Sequence, residues 1–179
     1  MRVKFFRVSL TFALLLASFG AAAWSATDSE ARLSLASPAA AALQSGDVAI
    51  IVNPRNPARN ISFDHLRKYF KAERGQWPDG TKVVVALRQP AGAAERGVVL
   101  RAIYGWDENY FQKYFRQGQF NETVQSAPKE MNSTYAMTRY VHYTPGAIGI
   151  VRADQVDASQ VSVLSVDGRR PGDPGYRIR

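Results

Sequence analysis

Two arginines eight positions apart, Arg88 and Arg96, are the residues of this chain best suited to chemistry. Each offers a permanent positive charge and a planar fork of donors, the equipment needed to hold an oxyanion. Between them lies Gln89–Pro90–Ala91–Gly92–Ala93–Ala94–Glu95, a break built from proline, glycine and alanine. Upstream, Val83–Val84–Val85–Ala86 is an apolar run that suits a strand buried on both faces. Downstream, Ala94, Val98, Val99, Ala102 and Ile103 recur at helical spacing. A strand thus feeds a helix through a small-residue turn, and the unpaired N–H groups of the helix start attract an anion. Arg96, within the first turn or two, leans back toward that start. The competing reading makes both arginines solvated surface charges.

Other chemistries find little footing. His65 and His142 stand far apart, without the Cys, Asp or Glu spacing of a metal site. His142 is better explained by a helix C-terminus, and His65 by a helix first turn in contact with water. No nucleophile elbow or Walker-type loop occurs, and nothing brings Asp64 and Glu73 together as an acid/base pair. Neither a metal nor a cofactor is expected, and an enzyme is the least supported class. The sequons Asn60–Ile61–Ser62, Asn121–Glu122–Thr123 and Asn132–Ser133–Thr134 read as two helix caps and a turn.

The 179-residue chain carries a formal charge of +8. Setting aside Arg2, Lys4 and Arg7 leaves 20 basic against 15 acidic residues, a balance of +5. That excess favours anionic ligands. The basic residues are dispersed and no nucleic-acid motif appears, so no nucleic-acid partner is expected. Residues 1–23 have the form of a secretory signal: the basic trio, an apolar run from Val8 to Phe19, then Ala21–Ala22–Ala23. That run is too short to span a bilayer comfortably, and an uncleaved anchor is the lesser reading. With no cysteine, the chain has no disulfide and cannot be a cysteine-anchored lipoprotein. The expected product is soluble, exported and, in a double-membraned bacterium, periplasmic.

Residues 24–46 read as a flexible Ala/Ser-rich tether, 47–167 as the folded domain, and 168–179 as a disordered basic tail. The domain opens with the apolar run Val48–Val52, followed by a turn at Asn53–Pro54–Arg55–Asn56–Pro57. Ser62 is a good cap for a helix burying Phe63, Leu66, Tyr69 and Phe70. Trp77–Pro78–Asp79–Gly80 is a turn. Asp107 or Glu108 suits the start of a helix whose stripe Tyr110, Phe111, Tyr114 and Phe115 reads as core. Asn132 or Ser133 caps a third helix, and Ile148–Val151 and Val161–Val166 are further strands. Alternating strands and helices predict an α/β three-layer sandwich with a largely parallel sheet.

Several of these stretches resemble a family. They are Val48–Pro54, Ile61–Phe70, Trp77–Gly80, the aromatic helix ending in Phe115–Arg116–Gln117–Gly118, and Tyr143–Ile150. Together they are similar to short, single-lobe relatives of the periplasmic phosphate-binding protein of ABC transporters, which have a type II periplasmic-binding-protein fold. The resemblance covers Val48 to about Val166. In full-length relatives the loop after the Val83-type strand holds phosphate with an arginine, hydroxyls, amides and an aspartate. Arg88 matches the arginine, whereas Gln89 to Ala94 lack the hydroxyls and the aspartate. The candidate anion site is therefore Arg88, Gln89, Gly92, Ala93 and Arg96, with weak binding expected. The resemblance implies a non-enzymatic solute-binding protein for phosphate or a related oxyanion, serving an ABC transporter or a sensor. The alternative is a cell-envelope interaction protein that uses the same lobe without tight ligand binding.

Overall fold

Apolar runs with matching turn and cap residues decide where the main elements form. The computed structural model describes residues 46–89, 93–124 and 126–179; the expected leader and nearly all of the tether lie outside the described residues. The strands are β1 (Val48–Val52), β2 (Asn60–Ile61), β3 (Val84–Arg88), β4 (Lys129–Met131), β5 (Ala147–Arg152), β6 (Ser162–Val163) and β7 (Ser165–Val166). The α-helices are α1 (Phe63–Phe70), α2 (Ala94–Val99), α3 (Glu108–Phe120) and α4 (Thr134–Tyr143). Three caps hold as expected. The Ser62 hydroxyl accepts from His65 N, the Asp107 carboxylate from Tyr110 N, and the Ser133 hydroxyl from Ala136 N. Each satisfies a donor that a helix start would otherwise leave unpaired.

The main sheet has the order β4-β3-β5-β1-β6. β3 runs parallel to β4 and β5, whereas β1 is antiparallel to β5 and β6. Four strands therefore share a direction and β1 opposes them, which makes the sheet largely parallel. Every residue of β1 and all but the last of β5 are buried, so both faces of the sheet centre are covered. α4 lies against β5, β3 and β1, and α2 also reaches these three strands. Gly146 lets β5 come up beside the chain that leads into β3. A Cβ there would collide with the Lys82 carbonyl, and the Gly146 carbonyl accepts from Val84 N and the Trp77 indole.

Three local expectations are corrected. Val161–Val166 is not one strand: at Leu164, whose N–H donates to the Ile50 carbonyl, the chain changes partners. β6 stays on the main sheet, while β7 pairs in parallel with β2 as a separate ladder. Second, α2 runs directly into a π-helical turn at Leu100–Tyr104, closed by Gly105 at φ 69°. Third, the stripe on α3 is only half core: Phe111 and Phe115 are buried, but Tyr110 is 51% exposed.

A larger correction concerns residues 168–179, expected as a disordered tail. Tyr176 and Ile178 are buried, and the segment completes the start of β1. Val48 N donates to the Ile178 carbonyl at 3.1 Å, and the Tyr176 hydroxyl donates to the Val48 carbonyl at 2.7 Å. The buried Asp47 carboxylate accepts from Gly172 N and pairs with Arg179. The alternation Tyr176–Arg177–Ile178–Arg179 puts apolar residues inward and arginines outward. A strand buried on both faces leaves no backbone group for water, so these contacts are obligatory.

Loss of the Tyr176 hydroxyl in Tyr176→Phe should cost about 1 kcal/mol, and Ile178→Ala about 2–4 kcal/mol. Urea denaturation measures both. A tail that contributed nothing would leave both midpoints at the wild-type value.

Candidate functional site

The carboxyl ends of β3, β4 and β5 meet at one edge of the sheet, because the three strands are parallel. Such an edge is the usual place for ligands in open α/β sheets. β3 ends in Arg88, whose Cα partner on β4 is Met131. Asn132, Ser133 and Thr134, which begin α4, therefore follow directly beside Gln89. Arg152 ends β5, and the Thr134 hydroxyl hydrogen-bonds to the Gln155 amide oxygen at 2.8 Å, tying the β4 and β5 loops together.

Arg96 has a fate that the sequence did not disclose. It is 1% exposed and fully engaged. Its Nε and Nη2 donate to the two oxygens of Glu108 at 2.8 and 2.7 Å. Its Nη1 donates to the Arg88 carbonyl at 3.1 Å and to Glu130 at 3.3 Å. The Phe111 ring lies 5.0 Å below the guanidinium. Because helical side chains tilt toward the N-terminus, Arg96 reaches back to the end of β3. It does so to hold protein carboxylates, however. The hydrogen bond from Arg96 keeps the Glu108 carboxyl below its usual range, and the bond to Glu108 in turn raises the arginine. Neither arginine is a solvated surface charge, and Arg96 is not a free anion ligand.

Arg88 is the opposite case. Its backbone carbonyl is occupied by Arg96, but its side-chain Nε and Nη1 are buried and have no hydrogen-bond partner among the described residues. A buried donor left unmade costs about 1–3 kcal/mol, and more when charged. Gln89 is exposed; its N–H donates to the Met131 carbonyl at 2.8 Å and its amide to the Glu130 carboxylate. Ala93 is the N-cap of α2 and supplies no side-chain bond, unlike the residues that cap α1, α3 and α4. Its carbonyl accepts from Arg96 N and Gly97 N. Gly92 lies outside the described residues.

The structure thus brings Arg88, Gln89, Ala93 and Arg96 to one edge and assigns Arg96 to a supporting part. Sequence reasoning missed Glu108 and Glu130 as the partners of Arg96. It also missed the hydroxyls of Ser133 and Thr134, which stand at the edge where the β3 loop has none. Their signal was the sequence of β4, too short and polar to read as a strand. Arg152 at the same edge is neutralised by Asp154, with bonds of 3.0 and 2.5 Å. Among the described residues, no group of three or more His, Cys, Asp or Glu side chains is placed to hold a metal ion.

No family model matches the sequence, and no curated protein matches it either. Solved structures do share the fold. An ABC-type phosphate transport receptor from Vibrio cholerae matches with a TM-score of 0.57 and 20% identity over 70% of this chain. A substrate-binding protein assigned to a phosphate ABC transporter of Clostridium perfringens, with phosphate bound, gives 0.56 and 18% over 70%. PstS from Borrelia burgdorferi gives 0.53 and 17% over 70%. This chain spans under half of each: 48%, 46% and 49% of their lengths. The likeness establishes the mixed α/β fold with a largely parallel sheet.

The Arg96–Glu108 pair generates a test with a defined pH sign. Glu108→Gln should destabilise the fold by about 1.5–3 kcal/mol at neutral pH, the worth of a charged hydrogen bond. A carboxylate with a lowered folded pKa contributes fully above its unfolded pKa and loses that contribution as pH falls. Denaturation curves of wild type and variant should therefore begin to approach each other below about pH 4.3, the ordinary glutamate value, and meet only as pH falls through the lowered folded value. A gap that persists unchanged into acid would mean the pair is not the cause.

Proposed function

We propose that this protein is an exported, non-enzymatic binder of phosphate or a related oxyanion, held at the carboxyl edge by Arg88. One observation carries the reading: the buried, unpartnered Nε and Nη1 of Arg88 at that edge. An oxyanion is a ligand chemistry suited to an unpaired guanidinium. Gln89 and the start of α2 at Ala93 follow it in the chain, Ser133 begins α4 at the same edge with its hydroxyl proton still free to donate, and Arg96 fixes the Arg88 backbone. Two solved proteins that share this fold, a phosphate transport receptor and a substrate-binding protein with phosphate bound, agree with that chemistry. The bound solute is handed to an ABC transporter or a sensor. The protein acts in the periplasm, reached through the leader at residues 1–23.

A second reading, an envelope interaction protein without tight ligand binding, draws on Glu130. Its carboxylate stands at the same edge, engaged by Gln89, where it weakens the pull on an anion.

Calorimetric titration with phosphate, sulfate and a polyphosphate separates the two. Binding on the order of tens of micromolar or poorer is expected, weakening as salt rises. Arg88→Ala should reduce affinity about tenfold or more, and Lys82→Ala should not. Arg88→Met, which also removes the unpartnered charge, should weaken binding as much as Arg88→Ala while leaving stability equal to wild type or higher. Unchanged oxyanion affinity in folded Arg88→Ala would leave the interaction-protein reading standing. Mass spectrometry of the exported protein tests the leader. A mature chain beginning near Ala23 is expected, and one still carrying Met1 to Phe19 would count against it.

A further inference from the structure

The half of the α3 stripe that fails to enter the core builds something else. Tyr110, Lys113, Tyr114, Gln117, Asn121 and Thr123 line an open groove of about 320 Å³. Its aromatic side is fixed. Trp106 packs on Tyr110 at 5.0 Å and on Tyr114 at 4.6 Å, and the Tyr114 hydroxyl donates to the Lys71 carbonyl at 3.1 Å. Its far side is fixed as well. Gly118 admits the Val124 side chain, with which a Cβ would collide, and its carbonyl accepts from Val124 N at 3.1 Å. The turn between them holds Glu122 at φ 57°, a conformation that costs a non-glycine residue energy and needs surrounding structure to maintain it.

The groove offers three kinds of contact at once. The half-exposed Tyr110 ring gives a flat π face for C–H groups. Gln117 and Asn121 carry amides that both donate and accept, and no hydrogen bond engages either side chain among the described residues. Lys113 has no carboxylate within salt-bridge distance among the described residues, and no acidic side chain lines the groove. An apolar helix or lipid chain would leave these polar groups unpaired, and a bare inorganic anion would not use the ring. A ligand with C–H faces, adjacent hydroxyls and a negative charge uses all of them. We propose that this groove binds an acidic saccharide, a sugar ring stacked on Tyr110 with its carboxylate on Lys113 and its hydroxyls on Gln117 and Asn121. This site is independent of the oxyanion reading.

Titration of the protein with trigalacturonate and with neutral maltotriose, followed by NMR chemical shifts, tests it. Trigalacturonate should bind at sub-millimolar concentration, at least about tenfold more tightly than maltotriose. Tyr110→Ala should weaken it about tenfold, while Tyr110→Phe should keep most of the affinity. Lys113→Gln should erase the preference for the acidic sugar, and it is exposed enough to leave the fold intact if Tyr110→Ala does not. Arg88→Ala should leave the trigalacturonate affinity at the wild-type value, whatever it does to oxyanion binding. The proposal is overturned by no trigalacturonate binding at millimolar concentration, by equal affinity for the two sugars, or by a loss that follows Arg88 instead of Tyr110.

Discussion

A buried guanidinium must be surrounded by acceptors, and the way Arg96 meets that demand fixes how four elements sit together. α2 supplies the arginine, α3 supplies Glu108, β4 supplies Glu130, and β3 supplies the Arg88 carbonyl. Losing one partner of a buried charge is far more costly than the net worth of the pair, so such a network acts as a geometric restraint more than as a source of stability. It holds the end of β3 against the start of α2 even though Ala93 contributes no capping side chain. The Phe111 ring beneath the guanidinium carries the restraint into the hydrophobic core.

The reversed direction of β1 extends that edge. Val48, the first residue of β1, pairs with Arg152, the last of β5, so the start of one strand lies at the carboxyl end of the other. The C-terminal segment, through Tyr176 and Ile178, completes the hydrogen bonding of Val48 there. Ala153 N donates to the Asp47 carbonyl at 2.9 Å, which fastens the turn after β5 to the same place. The last residues of the chain thus close one end of the edge that carries Arg88 near the other. Their packing matters to the site without any contact with it, because β5 stands between the two.

What could be read from the sequence was what local chemistry decides. Buried apolar runs located β1, β3 and β5, and Ser62, Asp107 and Ser133 marked their helix starts. Pairing is decided elsewhere in the chain, and there the reading failed. Val161–Val166 alternates as one strand does, but Leu164 donates to Ile50 and the two halves join different sheets. In Tyr176–Arg177–Ile178–Arg179 the period of two was present but hidden by the surrounding proline, glycine and arginine. At the site, both arginines were legible at a strand–helix junction. Which of them stays unpaired was not, because the deciding carboxylates lie 12 and 34 residues from Arg96. The place of Ser133 and Thr134 beside Arg88 likewise depends on the β3–β4 register.

The division of labour between the arginines also limits the charge the edge can accept. Arg96 is met by Glu108 and Glu130, and Arg152 by Asp154. Arg88 and Arg96 carry two positive charges, whereas Glu108, Glu130 and the buried Glu95 in the first turn of α2 carry three negative ones, so the fixed side chains leave a negative excess. The start of α2, which continues through the π-helical turn, and the start of α4 are each equivalent to roughly half a positive charge and offset that excess. Under the oxyanion reading, the edge therefore has little net charge with which to hold an anion. A dianion placed there draws most of its stabilisation from water on its open side, where each contact is weak. A singly charged oxyanion, or a doubly charged one that keeps a proton, is less disfavoured. The carboxylates that support the arginines thus limit the charge of any anion held beside them.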